Sequence, residues 1–373
     1  MANFDVLIVG AGIVGCATAL ECAEAGMRVG VVERDLVGGA TTAAGMGHIV
    51  VMDDSPAQLA LTAYSRELWR KLQPALPRNA EYDPRGTVWI AGDDEEMQEV
   101  FAKRRILGEA GVVSEVLDAQ GIAEAEPFLR KGLAGGLLVP DDGVIYPPVA
   151  ASFFLGEAQR KGAVLVRGRA VVSLERGRVV LADGSSHGAE HVLLASGAEI
   201  SLLPFLPIQK RKGHLLITDR YPDMVRHQLV ELGYLKSAHS ITDDSVAFNI
   251  QPRRTGQLLI GSSRQYGDTT REVNPAILRR MLDRAVEYMP CLREVSGIRV
   301  WTGFRAATAD KLPLIGPTEK TWLHLAMGFE GLGITNAPGA ARLAADHLLG
   351  RPSAIDATPY LPMRIGNPEA MHV

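Results

Sequence analysis

The 373-residue sequence is short of several things, and each shortage narrows the function. It has three cysteines, Cys16, Cys22 and Cys291, an odd number without metal-ligand spacing. They give no disulfide framework and no metal site, and they suit a reducing compartment. Cys16 and Cys22 read as small core residues. No apolar run approaches the ~20 residues of a membrane span. A formal net charge of −4 leaves no nucleic-acid footprint. There is no internal repeat, no low-complexity segment, and no basic stretch or cleavage signal ahead of the first expected strand. These absences point to a cytoplasmic protein, peripheral to the inner membrane face only through partners. With 47% hydrophobic and 22% charged residues, the chain has material for two sub-domains with substantial cores.

The most informative stretch is Asp5-Val6-Leu7-Ile8-Val9-Gly10-Ala11-Gly12-Ile13-Val14-Gly15. A buried strand is followed by G-x-G-x-x-G spacing that opens a helix. Gly10 permits the tight turn, Gly12 lets a pyrophosphate approach the backbone, and Gly15 lets helix and strand pack closely. The helix start, with Ile13 and Val14, presents free N–H groups and a positive dipole end to phosphate. The helix is expected from about Ile13 to Ala25, stopped by Gly26. A second strand, Met27 to Val32, ends at Glu33, with Arg34 after it. A carboxylate there accepts the two ribose hydroxyls of an adenosine and repels a 2′-phosphate.

From Arg34 to His48 the sequence is rich in small and hydroxyl residues. Such a stretch can lie flat against a large planar ligand, which a flavin enzyme requires and a nicotinamide enzyme does not. An amphipathic helix is expected over Pro56 to Leu76, with Leu59, Ala63, Leu68 and Leu72 on its buried face and Tyr64 and Trp69 as packing residues. A strand at Thr87 to Ala91 and a charged, solvated helix from Asp93 to Gly108 follow. Next come a short helix near Pro127, a strand and loop over Leu137 to Pro148, and a helix over Val149 to Lys161. The strand Ala163 to Val166 leads into a hairpin turned by Asp183-Gly184. The strand His191 to Ala198, ending in Ser196 and Gly197, returns to the first sheet beneath the dinucleotide. Pro204 to Val300 has alternating patterns and reads as an antiparallel sheet, with Lys210-Arg211-Lys212 as a surface turn and a helix from Pro275 to Met289. A strand, Trp322 to Gly328, then meets a second glycine turn and a helix over Ala337 to Leu349.

The nucleotide fingerprint, the small-residue segment, W-x-G-x-R at Trp301 to Arg305 and G-x-x-G-x-G-I-T at Gly328 to Thr335 occur in that order. Over nearly its whole length the chain resembles the FAD-dependent amino-acid oxidase superfamily, in the branch of glycine oxidase, sarcosine oxidase and D-amino-acid dehydrogenases. Within that branch it is most similar to the flavin subunits of hydrogen cyanide synthase, opine oxidase and D-hydroxyproline dehydrogenase.

The resemblance implies an α/β fold: a Rossmann-like FAD-binding domain (residues 1–80, 141–204 and 308–360), an inserted α+β substrate domain with an antiparallel sheet (81–140 and 205–307), and a tail (361–373). It also implies non-covalent FAD, because no cysteine lies near Trp301. Gly10, Gly12 and Gly15 would hold the pyrophosphate and Glu33 the ribose. Val171 would meet the adenine through its backbone. Thr41, Thr42, Gly45 and Met46 would line the flavin, and Gly331, Leu332, Gly333, Ile334 and Thr335 would lie under its pyrimidine end. Gly303 to Arg305 matches the strand whose arginine binds the substrate carboxylate. The glycine oxidases of the branch carry a tyrosine near Asn249, and its sarcosine oxidases an oxygen-activating lysine near Leu258 and Leu259; this chain has neither.

The chemistry implied is oxidation of the C–N bond of a small amino or imino acid, of D-hydroxyproline, D-proline or glycine type. It would run as a dehydrogenase within a hetero-oligomer of redox subunits. The candidate catalytic residues are Arg305, Asn249, Gln251 and His48. Arg305 suits a bidentate carboxylate clamp. Asn249 and Gln251, two apart on a strand, either meet a polar group of the substrate or cap an edge. His48 stands near the flavin or is structural. Three other readings stay open: an oxygen-using oxidase, a flavin electron-transfer subunit without a substrate, and a nicotinamide dehydrogenase.

Overall fold

A computed structural model describes residues 3–233 and 244–365, with mixed helix and sheet built around two eight-stranded sheets. In the first, a path of six strands runs Leu314–Pro317, Leu323–Met327, Ser186–Leu194, Asn3–Val9, Val29–Glu33 and Val164–Arg167. All neighbours on it are parallel except the first pair. The hairpin Val171–Glu175 and Arg178–Leu181 extends this sheet from the start of Ser186–Leu194. Alternation divides Asn3–Val9 between two cores. Val6 and Ile8 face the helices Ile13–Glu24, Pro147–Arg160 and Gly333–Leu349, while Leu7 and Val9 pack under residues 198–208. The first strand therefore ends buried on both sides and delivers Gly10 to the sheet edge.

The second sheet runs Gly297–Ala307, Gln209–Arg220, Gln257–Arg264, Ser245–Pro252, Gln228–Glu231, Thr87–Ala91, Gly135–Val139 and Glu115–Asp118. One face packs Val88, Ile90, Phe248, Ile250 and Ile260 against the helix Pro275–Tyr288. The opposite face, with Leu215 and Leu259 against Met46, looks toward the first domain. The expected all-antiparallel pattern has one exception: Gln228–Glu231 runs parallel to Thr87–Ala91, which joins the two chain segments of this sheet.

Four expectations need correction. Lys210-Arg211-Lys212 is not a surface turn but lies within the strand Gln209–Arg220, where Arg211 and Lys212 are buried. Each cation has an anionic partner far along the chain: Glu330 for Arg211 and Asp268 for Lys212. The helix Pro56–Leu72 buries Leu59, as expected, together with Gln58, Leu61, Thr62, Ser65 and Trp69, while Ala63, Leu68 and Leu72 are only half-buried. Its partner helix approaches so closely that a Cβ on Gly339 would collide with the Ser65 hydroxyl and crowd Leu61 Cδ1 at 3.3 Å. The helix Asp94–Glu109 is not wholly solvated, since Lys103 is buried, paired with Asp53 and set over the Trp89 ring. The last long helix begins at Gly333 rather than Ala337, so Gly333 to Thr335 form its first turn.

Of the tail, residues 366–373 lie outside the described residues. Arg364 returns the chain to the first domain through an ion pair with Asp310 and a hydrogen bond to the Leu312 carbonyl. Among the described residues, no helix is long and apolar enough to cross a membrane.

Candidate active site

The glycine loop is held by contacts that side chains would break. Gly10 has φ +106°, and a Cβ on it would stand 2.6 Å from the Ala195 carbonyl oxygen. A Cβ on Gly15 would overlap the Gly10 carbonyl. The loop is thereby pressed against Ala195 to Gly197 from the neighbouring strand. Glu33 is fixed where its strand ends: its carboxylate accepts the Ala11 N–H at 2.8 Å and the Asp35 N–H at 2.7 Å. Arg34 points outward and pairs with Asp35. Its backbone neighbour Glu33 accepts the Gly168 N–H at 2.8 Å. That bond brings the segment leading to Val171 beside the carboxylate end of the groove.

From this loop a cavity of about 1710 Å³, mouth included, opens between the two sheets. Gly12, Ile13, Val14, Thr41, Thr42, Gly45, Met46, His48 and Gly197 line it. Asn249, Gly303, Arg305 and Gly331 to Ile334 also line it, Ile334 lying against Gly45. The small-residue segment is not flat throughout, since Ala40–Ala44 winds into a short helix. Thr42 Oγ1 accepts the Ile13 N–H at 3.1 Å, and Thr41 Oγ1 donates to the Phe304 carbonyl at 3.2 Å, so the segment bridges both domains.

Gln251 and Thr335 are supports rather than lining. Gln251 is fully buried and its amide donates to the Met46 carbonyl at 2.5 Å. Thr335 Oγ1 donates to the His48 carbonyl at 2.9 Å and accepts the Val50 N–H. Ser196, also expected at the cofactor, turns its hydroxyl to the Glu199 carbonyl. Asn249 differs from Gln251: it borders the cavity, and its Oδ1 is buried without a hydrogen-bond partner.

Arg305 crosses the floor of the site. Its strand lies beside Gln209–Arg220, with Arg305 directly opposite Arg211. The guanidinium passes over Gly213 and donates from Nη1 to the Ser263 carbonyl at 2.8 Å, one strand further on. No carboxylate pairs with it among the described residues. His48 shares the cavity and is neutral: burial, then the Arg305 charge, hold its pKa down at about 4. His214, behind Arg305, accepts the Asn274 N–H at Nε2, so its Nδ1–H donates to Ser263 Oγ. Burial and the Lys212 charge lower its pKa as well.

Sequence reading missed Arg211, Gly213, His214, Lys311 and Glu330, all at the cavity wall. Only Glu330, inside the second glycine motif, carried a local signal. The helix Gly333–Leu349 completes the wall. Its first internal bond runs from the Asn336 N–H to Leu332, which leaves the N–H groups of Gly333 to Thr335 without helical partners. Trp69 Nε1 holds this turn through the Ile334 and Thr335 carbonyls. No cluster among the described residues has the make-up of a metal site.

Comparison with known proteins gives a consistent result. The family described as FAD dependent oxidoreductase (DAO) matches residues 5–347. A bifunctional protein ThiO/ThiG from Nostoc sp. is 29% identical over 360 residues, covering 94% of this chain and 53% of that protein. The chain thus spans about half the length of that relative. Glycine oxidase from Geobacillus kaustophilus is 27% identical over 375 residues, covering 96% of each. The crystal structure of that glycine oxidase superposes with a TM-score of 0.88 at 25% identity, covering 98% of this chain and 99% of that one.

Proposed function

The chain belongs to the DAO family of FAD-dependent oxidoreductases, and on that footing we propose that it oxidises the C–N bond of a small amino or imino acid to an imine, as a dehydrogenase. The residues fit the cofactor. The cramped Gly10 and Gly15 turn, the fixed Glu33 carboxylate and the free N–H groups at Gly333 are the features that would hold its pyrophosphate, its ribose and the end of its ring. Bound FAD supplies a hydride acceptor. The N–H groups of Gly333 and Ile334, at a helix N-terminus, favour negative charge placed against them.

One observation carries the substrate reading: Arg305 presents a guanidinium to the cavity and, among the described residues, has only the Ser263 carbonyl as partner. A half-buried charge facing a cavity attracts an anion, and the planar fork suits a carboxylate. Clamping that carboxylate orients the adjacent carbon and excludes rotation, which is most of what such a reaction asks of the protein. An electron conduit without a substrate would have no use for this residue. His48, kept neutral, adds no competing positive charge beside Arg305.

The dehydrogenase part is supported by Leu258 and Leu259, buried and apolar where the sarcosine-oxidase likeness would put an oxygen-activating lysine. The named glycine oxidase relative favours a second reading, an oxygen-using oxidase. D-hydroxyproline and partner redox subunits belong to the same proposal through the subgroup likeness. The test is anaerobic bleaching of the bound flavin by glycine, sarcosine, D-proline, cis-4-hydroxy-D-proline and opines. Rapid bleaching by at least one supports the proposal, and bleaching by none contradicts it. Turnover that yields stoichiometric peroxide as fast as dye reduction would establish the oxidase instead.

A further inference from the structure

A zwitterionic amino acid has two poles, and Arg305 accounts for one. Opposite it in the ladder, Arg211 reaches to Glu330, Nη1 to Oε1 at 2.9 Å, and lies 5.3 Å from the centre of the Tyr266 ring. Glu330 is held firmly. Its backbone is left-handed at φ +51°, and its N–H donates to the Ala306 carbonyl at 2.8 Å. Its side chain is only 9% exposed, and Oε2 is buried without a hydrogen-bond partner among the described residues while the residue borders the cavity. The next residue, Gly331, stands against the Arg305 stem: a Cβ there would be 3.5 Å from Nε. Glu330 and Arg305 therefore flank the same part of the cavity.

A buried carboxylate oxygen without a donor is costly, so in a cavity wall Oε2 is open to a donor from solvent or from a ligand that displaces it. Arg211 neutralises the Glu330 charge but occupies only Oε1. We infer that Glu330 Oε2 accepts an N–H from the substrate amine while Arg305 holds the carboxylate; this rests on the carboxylate reading of Arg305. Glu330 is thus the determinant that distinguishes an amino acid from a bare carboxylic acid, and no bond is made or broken at it. Arg211 is a positioning residue that fixes which Glu330 oxygen is offered. Arg211 and Glu330 cancel each other and the substrate carboxylate answers Arg305, so the site is neutral when the substrate amine is unprotonated and carries one net positive charge when it is an ammonium.

The experiment uses two isosteric competitors on the FAD-loaded protein. 2-Aminoisobutyrate bears an ammonium but no α-hydrogen, so it is not oxidised in this way. Pivalate replaces that ammonium by methyl. Dissociation constants are read from the perturbed flavin absorbance for wild type, Glu330→Gln, and the double variant Arg211→Gln/Glu330→Gln, which leaves no unpaired charge if the single variant folds poorly. Wild type should prefer 2-aminoisobutyrate. Both variants should lose about tenfold or more in affinity for it while binding pivalate within about twofold of wild type. Equal change for both ligands, or change for neither, overturns the inference and leaves the Arg305 reading intact. So does an altered flavin spectrum without ligand discrimination, which would turn Glu330 toward the cofactor. If neither ligand binds wild type, the carboxylate reading falls and this inference with it.

Discussion

Gly213→Ala isolates the geometry of the proposed clamp without touching a charged group. A Cβ at position 213 would stand 2.8 Å from Arg305 Nη1 and 3.2 Å from Cζ and Nη2. The guanidinium must therefore retreat by roughly half an ångström. Its 2.8 Å bond to the Ser263 carbonyl is then strained or lost. A hydrogen bond to a charged group contributes about 1.5–3 kcal/mol, and a misplacement on the order of 1 Å at a reacting pair costs about 100-fold in rate. The two estimates converge on a 10- to 100-fold fall in kcat/KM. Stability should fall only modestly, because alanine suits a strand better than glycine by about 0.5–1 kcal/mol, which offsets part of the weakened Ser263 bond, and the displaced atoms end a flexible side chain. Steady-state kinetics on the best substrate, with FAD content and Tm measured in parallel, decide it. Wild-type kcat/KM in Gly213→Ala would refute the idea that Arg305 must lie across this strand; unfolding or FAD loss would show that Gly213 serves the sheet.

Acid should destabilise the protein through His324, which lies buried beside His191 and near His347. Burial, then the His191 and His347 charges, hold its pKa down at about 4. The folded form stays neutral while the unfolded form protonates below pH 6.5, so stability present at pH 7 is lost as pH falls toward 4, by up to about 3 kcal/mol. Denaturant titrations at pH 7, 5.5 and 4.5 should show a smaller decline for His324→Gln than for wild type. FAD should be released intact by acid precipitation, since no cysteine lies near Trp301; flavin retained in the pellet would contradict this. Glu33→Ala should weaken FAD retention on dilution, because the carboxylate that ties Ala11 and faces the ribose end is lost.

What could be read from the sequence was what short-range chemistry dictates. The first glycine loop, Glu33 and the small residues from Thr41 lie close in the chain, and their spacing reflects one turn, one strand end and one short helix at the cavity wall. Arg305 was legible because Gly303 and Trp301 flank it. Arg211 and Glu330, by contrast, are 119 residues apart, and Lys212 and Asp268 are 56 apart. Each looks solvated until the sheet brings its partner. Gly213 matters only because Arg305 crosses it from the neighbouring strand. The face of Pro56–Leu72 was only partly legible: Leu59 is buried as expected, but the close approach of Gly339 brings Ser65 and Leu61, rather than Leu68 or Leu72, against the partner helix. Gln251 and Asn249 share a strand face, yet they end at different depths beneath the small-residue segment.

The central claim is that Arg305 holds the carboxylate of an amine substrate against the cofactor. Its most direct test compares wild type with Arg305→Ala on the best substrate and on the matching amine without a carboxylate. Losing one partner of a desolvated charge pair costs roughly 2–5 kcal/mol. The acid should therefore lose about 30- to several-thousand-fold in kcat/KM. The amine, poor for wild type, should be used no worse, with FAD content and Tm unchanged and lysine restoring only part. Full activity in Arg305→Ala, or simple loss of FAD and fold, would contradict the claim.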